Sequence, residues 1–252
     1  VLITLLLKLL LVPTLIGLVT LSGRRWGPKI AGWLSAFPIV AGPILFFIAL
    51  DQGNQFAIIA ATSTLSAVLA IIVFGLAYVW AAVRLNWIGS LAVALFFYTL
   101  AVLGLKLLSL SLYAAAIASV LAIIAAPRLY PKVISRPSNS APSRFDLPLR
   151  MSAGAVLAVS VTYFAPNLGP RLTGIFAMFP VMSLVLTVFS HRSEGREFAT
   201  NQLRGMLFGW YAFATFCFTL ALLLPTMEIA VAFLIATTAA LIVQLGSRRF
   251  VV

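Results

Sequence analysis

The chain has 252 residues, 63% of them hydrophobic and 9% charged, with a mean hydropathy of +1.14. A soluble domain carries about 25% charged residues, so this composition excludes a water-solvated globule and makes lipid the solvent. The net charge of +12 comes from 17 Lys and Arg against five Asp and Glu. Those basic residues cluster in short connections between apolar runs, which is the positive-inside pattern and argues against nucleic acid as a partner. One cysteine, Cys217, and one histidine, His191, exclude a disulfide framework and leave a Cys/His metal cage short of ligands.

The apolar runs are 18–28 residues long and lack strict alternation, so they read as helices and not as barrel strands. Nine spans are expected. The first, Val1–Leu21, has no basic leader and no small-residue cleavage site, so it is expected to be a span and not a signal peptide. Next come Pro28–Leu50, Phe56–Val83, Trp87–Leu105 and Ser109–Ala126. Residues 127–145 hold four prolines and the run PSNSAPS and read as the one substantial, mobile linker. Pro148–Ala165, Pro170–Ser190, Ala199–Leu224 and Glu228–Leu245 complete the series.

The chain repeats itself. GPKIAGWLSAFPIV at Gly27 returns as GPRLTGIFAMFPVM at Gly169, and the offset of 142 holds without a gap over 31 positions, nine of them identical. Composition alone would give roughly two or three identities. Spans one to four therefore match spans six to nine, and the fifth has no partner. An odd number of spans between twins turns each helix of the second copy against its twin. The expected fold is an all-α polytopic membrane protein with a 4+1+4 inverted-topology repeat. Its parts are residues 1–105, a linker helix and loop over 106–147, and an inverted copy over 148–252.

Assigning alternate loops to two sides puts fourteen basic residues on one side and three (Lys8, Lys106, Arg171) on the other. The heavier side is expected to be cytoplasmic, with the N-terminus outside and the C-terminus inside.

Candidate site residues follow from polarity and helix breaking inside the spans. Pro28 and Pro170 open helices, where proline loses no hydrogen bond. Phe37–Pro38 and Phe179–Pro180 sit about ten residues into their helices. Each proline removes an amide donor and frees a carbonyl, which needs a new partner or lines a polar cavity. A pair of mid-membrane kinks suits a substrate site between repeats, and it equally suits packing kinks beside Gly32 and Gly174. Lys8 and Arg150 lie near the starts of spans one and six. They read either as snorkelling side chains or as cations drawing an anionic substrate to a central cavity. Asn201 and Arg204 share a face of span eight, as a polar helix end or as substrate contacts. HRSEGRE at His191 reads as a solvated, self-paired turn. No carboxylate sits securely inside a span, so no acidic proton or Na⁺ relay is expected. A phosphate loop, a nucleophile elbow and an HExxH pair are all missing from the sequence, so no enzyme, catalytic residue, cofactor or metal site is expected.

The basic residue Lys8, Ile30–Gly32, Phe37–Pro38 and Gly53 resemble the pattern of the GlpM-like family, small bacterial inner-membrane proteins of about four spans. Arg150, Gly174, Phe179–Pro180 and Ser193–Ala199 repeat that likeness in the second half. The resemblance implies a bacterial inner-membrane location, a fused pair of family units and a loose link to exopolysaccharide production, with no catalytic residues. The expected function is a transporter or flippase for a small anionic or phosphate-bearing substrate, working by alternating access. The alternative is a non-transporting membrane subunit of an envelope polysaccharide or lipid-modifying assembly.

Overall fold

A computed structural model of the chain describes residues 2–131, 133, 143–164 and 179–250. They form ten α-helices: α1 (Leu2–Trp26), α2 (Pro28–Ser35), α3 (Ala41–Gln52), α4 (Asn54–Ala81), α5 (Trp87–Leu108), α6 (Leu112–Leu129), α7 (Asp146–Phe164), α8 (Val181–Glu194), α9 (Arg196–Leu223) and α10 (Ile229–Ser247), closed by a 3₁₀ turn at Arg248–Phe250. Among the described residues there is no strand. Five helices, α4, α5, α6, α9 and α10 with its terminal turn, are long and apolar enough to cross a membrane.

The second expected span is not one helix. Pro38 divides it into α2 and α3, with residues 36–40 outside both. Proline cannot donate to the ladder, and the chain answers by tightening: the Phe37 amide donates to Leu34 O at 3.3 Å and the Ile39 amide to Phe37 O at 2.8 Å. Pro180 does the same at the head of α8, where the Val181 amide donates to Phe179 O at 2.6 Å. Pro170, Arg171 and Gly174 of the seventh span, and most of the expected linker, lie outside the described residues.

Two 28-residue helices, α4 and α9, form the centre and start 142 residues apart. Each follows a glycine with φ near +90° and ψ near 167°, Gly53 (83°, 168°) and Gly195 (94°, 167°). That region of backbone space is essentially closed to side chains with a Cβ, so each glycine turns the chain between two helices without strain. The helices run antiparallel and cap each other. Asn54 Nδ2 donates to Leu224 O at 2.9 Å, and Arg196 Nη1 donates to Val83 O at 3.0 Å. α5 packs on α4, α10 on α9, and α6 against both α4 and α9. α1 and α7 also pack antiparallel: Arg24 meets Asp146 at one end, and Gly154 meets Ile16 further along. The outward faces of α5, α6 and α10 carry exposed Phe96, Phe97, Ile117, Leu121, Leu234 and Ile242, a surface suited to lipid.

Contacts between helix ends define one basic end of the bundle. The C-termini of α1, α4, α8 and α10 meet there with the N-termini of α2, α7 and α9. Arg24 pairs with Asp146, Tyr78 Oη lies 3.0 Å from His191 Nδ1, and Trp33 Nε1 donates to Ser247 Oγ at 2.9 Å.

α2 reaches α9 through glycine. A Cβ on Gly205 would run into Lys29 O, one on Gly32 into Gln202 O, and one on Gly209 would come within 2.6 Å of Ala36 Cβ. Gly205 and Gly209 form a small-xxx-small face that lets backbones approach. Gly205→Ala is therefore expected to cost about 1–3 kcal/mol of overpacking, read as a lower melting temperature in detergent. Gly104→Ala on α5, where a Cβ meets open space, is the control and should gain up to about 1 kcal/mol. Equal melting temperatures for the two variants would remove the close-packing argument.

Candidate functional site

The two proline turns face one cavity. Its volume is about 640 Å³, ordinary for a small-molecule site. It is lined by the α2–α3 turn from Trp33 to Ala41 and by Phe179–Ser183. α1 supplies Val12, Leu15, Leu18, Val19 and Ser22; α10 supplies Leu241, Gln244 and Leu245; Trp210 and Phe213 come from α9. Ile44 of α3, Ile71 of α4 and Ala158 of α7 complete the described wall. Among the described lining residues none is charged, and the polar side chains are Ser22, Ser35, Ser183 and Gln244 with the two indoles.

A second cavity of about 410 Å³ adjoins the same turn, lined by Phe37, Pro38 and Ile39 together with Gly42, Pro43, Phe46, Phe47, Phe216, Phe233 and Thr237. Phe37, Pro38 and Ile39 belong to both walls. The larger cavity uses the parts of α1 and α10 nearer the basic end, and the smaller one uses the parts of α9 and α10 nearer the opposite end.

Of the eight candidate residues, Phe37, Pro38, Phe179 and Pro180 come together in the larger cavity. Arg150 does not line it. The snorkelling expectation for Arg150 is overturned: the residue is 1% exposed. Its Nε donates to Asp146 Oδ2 at 2.8 Å, Nη1 to Ser190 Oγ at 3.0 Å, and Nη2 to Ser193 Oγ at 2.9 Å and Glu194 Oε1 at 3.1 Å. Arg24 reaches the same Asp146 oxygen at 2.7 Å. Two arginines and two carboxylates thus join α1, α7 and α8 in a cluster without net charge, and the Arg150 charge is spent inside it. Burial of this kind is tolerated because the guanidinium fork is saturated by geometry that matches it.

The solvated-turn reading of HRSEGRE holds only for Arg196–Glu197, at 3.1 Å on the surface. Glu194 instead points inward to Arg150. Burial pushes the Glu194 carboxyl above its ordinary value, and Arg150, shared with Asp146, offsets only part of that. Asp146 and Glu194 are 8% and 9% exposed, so carboxylates do enter the protein interior at the ends of α7 and α8. The i,i+4 spacing of Asp146 and Arg150 on a helix start was a legible signal for half of this cluster. Glu194 and the two serines come from 40 or more residues away and carry no such signal.

Arg204 donates to the carbonyls of Tyr130 and Pro131 at 3.3 and 3.2 Å and so holds the end of α6 against α9. Asn201 donates to Glu197 O one turn back at 3.0 Å. Neither belongs to the described cavity lining. Lys8 falls in α1, and its side chain lies outside what is described. Among the described residues no group of His, Cys, Asp or Glu could hold a metal ion.

No family model matches the chain, and neither the curated proteins nor the solved structures give a match.

Two outcomes follow from the charged cluster and its neighbour His191. Arg150→Met should destabilise by about 3–5 kcal/mol, because it leaves the buried Glu194 without its partner and Asp146 with Arg24 alone. Adding Glu194→Gln should recover part of the loss in a double-mutant cycle of melting temperatures, and strict additivity would contradict the pairing. His191 is pushed below its ordinary value chiefly by burial, with Arg196 adding to the effect and Glu197 opposing it. The unfolded chain then takes up a proton that the folded one resists, so this stability is present above about pH 6.5 and is lost as pH falls further. Melting curves from about pH 7.5 to about pH 5.5 should slope less for His191→Gln than for the parent protein.

Proposed function

We propose that the protein is an integral membrane transporter or flippase built as an inverted duplication, working by alternating access. The observation that carries this reading is the pair of cavities that share one proline turn. Phe37, Pro38 and Ile39 line both cavities, the larger of which uses residues of α1 and α10 nearer the basic end and the smaller residues of α9 and α10 nearer the opposite end. A turn with few helical hydrogen bonds can change its φ and ψ at lower cost than a helix, which makes it a suitable hinge. The matching turn at Pro180 faces the same cavity.

Several facts support the duplication. α4 and α9 share length, starting glycine and reciprocal caps while running opposite ways. α5 and α10 start 142 residues apart, and so do the ends of α3 and α8. α6 is the helix without a twin. In this reading α1, the α2–α3 pair, α7 and the span ending in α8 join the five long helices to give nine crossings. The basic end faces the cytoplasm, and the bacterial inner membrane is the location that the GlpM-like resemblance of each half implies.

The cationic groups that draw an anionic substrate are then not Arg150 and Arg204, which are engaged elsewhere. They are the exposed arginines and lysine at the ends of α1, α2 and α10.

Two measurements test the proposal. Leu50 and Arg192 are exposed twins, 142 residues apart. Single cysteines at these positions, in a background lacking Cys217, should react with an impermeant maleimide from opposite sides of the membrane. Labelling from one side would end the inverted reading. Spin labels at Leu18→Cys and Leu241→Cys flank the rim of the larger cavity and should give two distance populations, reduced to one by Pro38→Ala. A single narrow distance in the parent background would remove alternating access and favour a non-transporting subunit.

A further inference from the structure

We infer that the larger cavity takes a single-chain anionic lysophospholipid, with its acyl chain inside, its free hydroxyl on Gln244 and its phosphate at Arg25, Lys29 and Arg248. The inference rests on the cavity described above and names its ligand.

Gln244 carries the hydroxyl. It lines the cavity and is 5% exposed. Its Nε2 donates to Trp33 O at 2.9 Å, which sets the direction of the amide. Oε1 is then left buried without a hydrogen-bond partner. A buried acceptor with no donor costs about 1–3 kcal/mol, and a ligand hydroxyl removes that cost. A pure hydrocarbon could not.

The rest of the lining sets the body of the ligand. Leu15, Ile44 and Phe213 offer carbon, and no charge is present among the described lining residues. The lining residues Leu18 and Leu245 are 57% and 67% exposed, an apolar rim through which a chain can enter from the bilayer.

The charge of the ligand follows from helix periodicity. Arg25 lies three residues beyond Ser22, Lys29 four before Trp33 and Arg248 four beyond Gln244, so each cation shares a helix face with a cavity residue. All three are exposed, and no ion pair engages them among the described residues. Four residues of helix advance about 6 Å, so Arg248 and Lys29 stand about one helical turn from Gln244 and Trp33 on their own helices, within reach of a phosphate close to the hydroxyl. A 1-acyl glycerophosphate has this arrangement, with its free hydroxyl next to the phosphate-bearing carbon.

The indoles of Trp33 and Trp210 in the wall provide a readout. In a maltoside detergent, 1-acyl lysophosphatidic acid with a brominated chain should quench tryptophan fluorescence saturably. An alkyl phosphate of equal chain length, which lacks the hydroxyl, should bind about five- to tenfold more weakly. Lysophosphatidylcholine, with no net charge, and glycerol 3-phosphate, with no chain, should both bind more weakly than the lysophosphatidic acid. Gln244→Leu should erase the difference between lysophosphatidic acid and alkyl phosphate. Because Gln244 also holds Trp33, the surface variant Arg25→Gln/Lys29→Gln/Arg248→Gln serves independently: it should weaken both anions and leave lysophosphatidylcholine unchanged. Absent saturation by lysophosphatidic acid, or equal affinity for the two anions, overturns the inference. Spin-label distances on the ligand-free protein judge transport separately. Two populations without lysolipid binding would reject this ligand and keep the transporter, whereas binding with one population would keep the ligand and reject transport.

Discussion

In hydrocarbon, every backbone amide and carbonyl must find its partner within the protein. α4 and α9 meet that demand along their lengths, and at their ends each borrows a donor from the other. The proline turns at Pro38 and Pro180 cannot meet it by helix alone. They make short local bonds such as Ile39 to Phe37 and Val181 to Phe179, and neighbouring helices must shield them from lipid. α1, α9 and α10 provide that enclosure, and the space left between them is the larger cavity. The site is therefore a by-product of satisfying a broken backbone in a nonpolar solvent.

The charged cluster at the basic end plays a different part. Isolated, any of its four ions would be costly to bury, and the pairing of Arg150 with Asp146 and Glu194 makes the burial tolerable. Arg24 brings α1 into the same set. The geometry ties α1, α7 and α8 together at a fixed height next to the helices that frame the cavity. It also separates two populations of cations: those consumed by structure, Arg150 and Arg204, and those left at the surface, Arg25, Lys29 and Arg248, with no carboxylate opposite among the described residues.

The arrangement gives the proposed transport cycle a physical hinge. Glycine contacts press α2 against α9 through Gly32, Gly205 and Gly209, so α2 is held by backbone packing. α3, beyond the turn, packs against α4 and α10 through larger side chains such as Phe46, which meets Phe233 edge-on at 5.1 Å. Two half-helices, one held by backbone contact and one by side chains, are joined by five non-helical residues and in the proposed cycle would shift against each other without breaking a long ladder of hydrogen bonds.

Much of this fold is legible from the chain alone, because lipid imposes strong rules on sequence. Run length and hydropathy locate α4, α5, α6, α9 and α10 to within a few residues, and the repeat of Phe-Pro identifies both turns that face the cavity. The one-dimensional pattern could not show that Pro38 would end a helix outright, since a kink and a break read alike until the neighbours that absorb the freed carbonyls are known. Nor could it assign Arg150, Glu194 or Gln244. Whether an arginine snorkels or pairs depends on which side chains stand within about 3 Å of it, and for Arg150 all of these but Asp146 come from 40 or more residues away. Composition and periodicity determined the solvent, the helices and the places where they break. Tertiary packing decided which charges are cancelled and which polar atom is left facing the cavity, because both depend on distances between residues far apart in the chain.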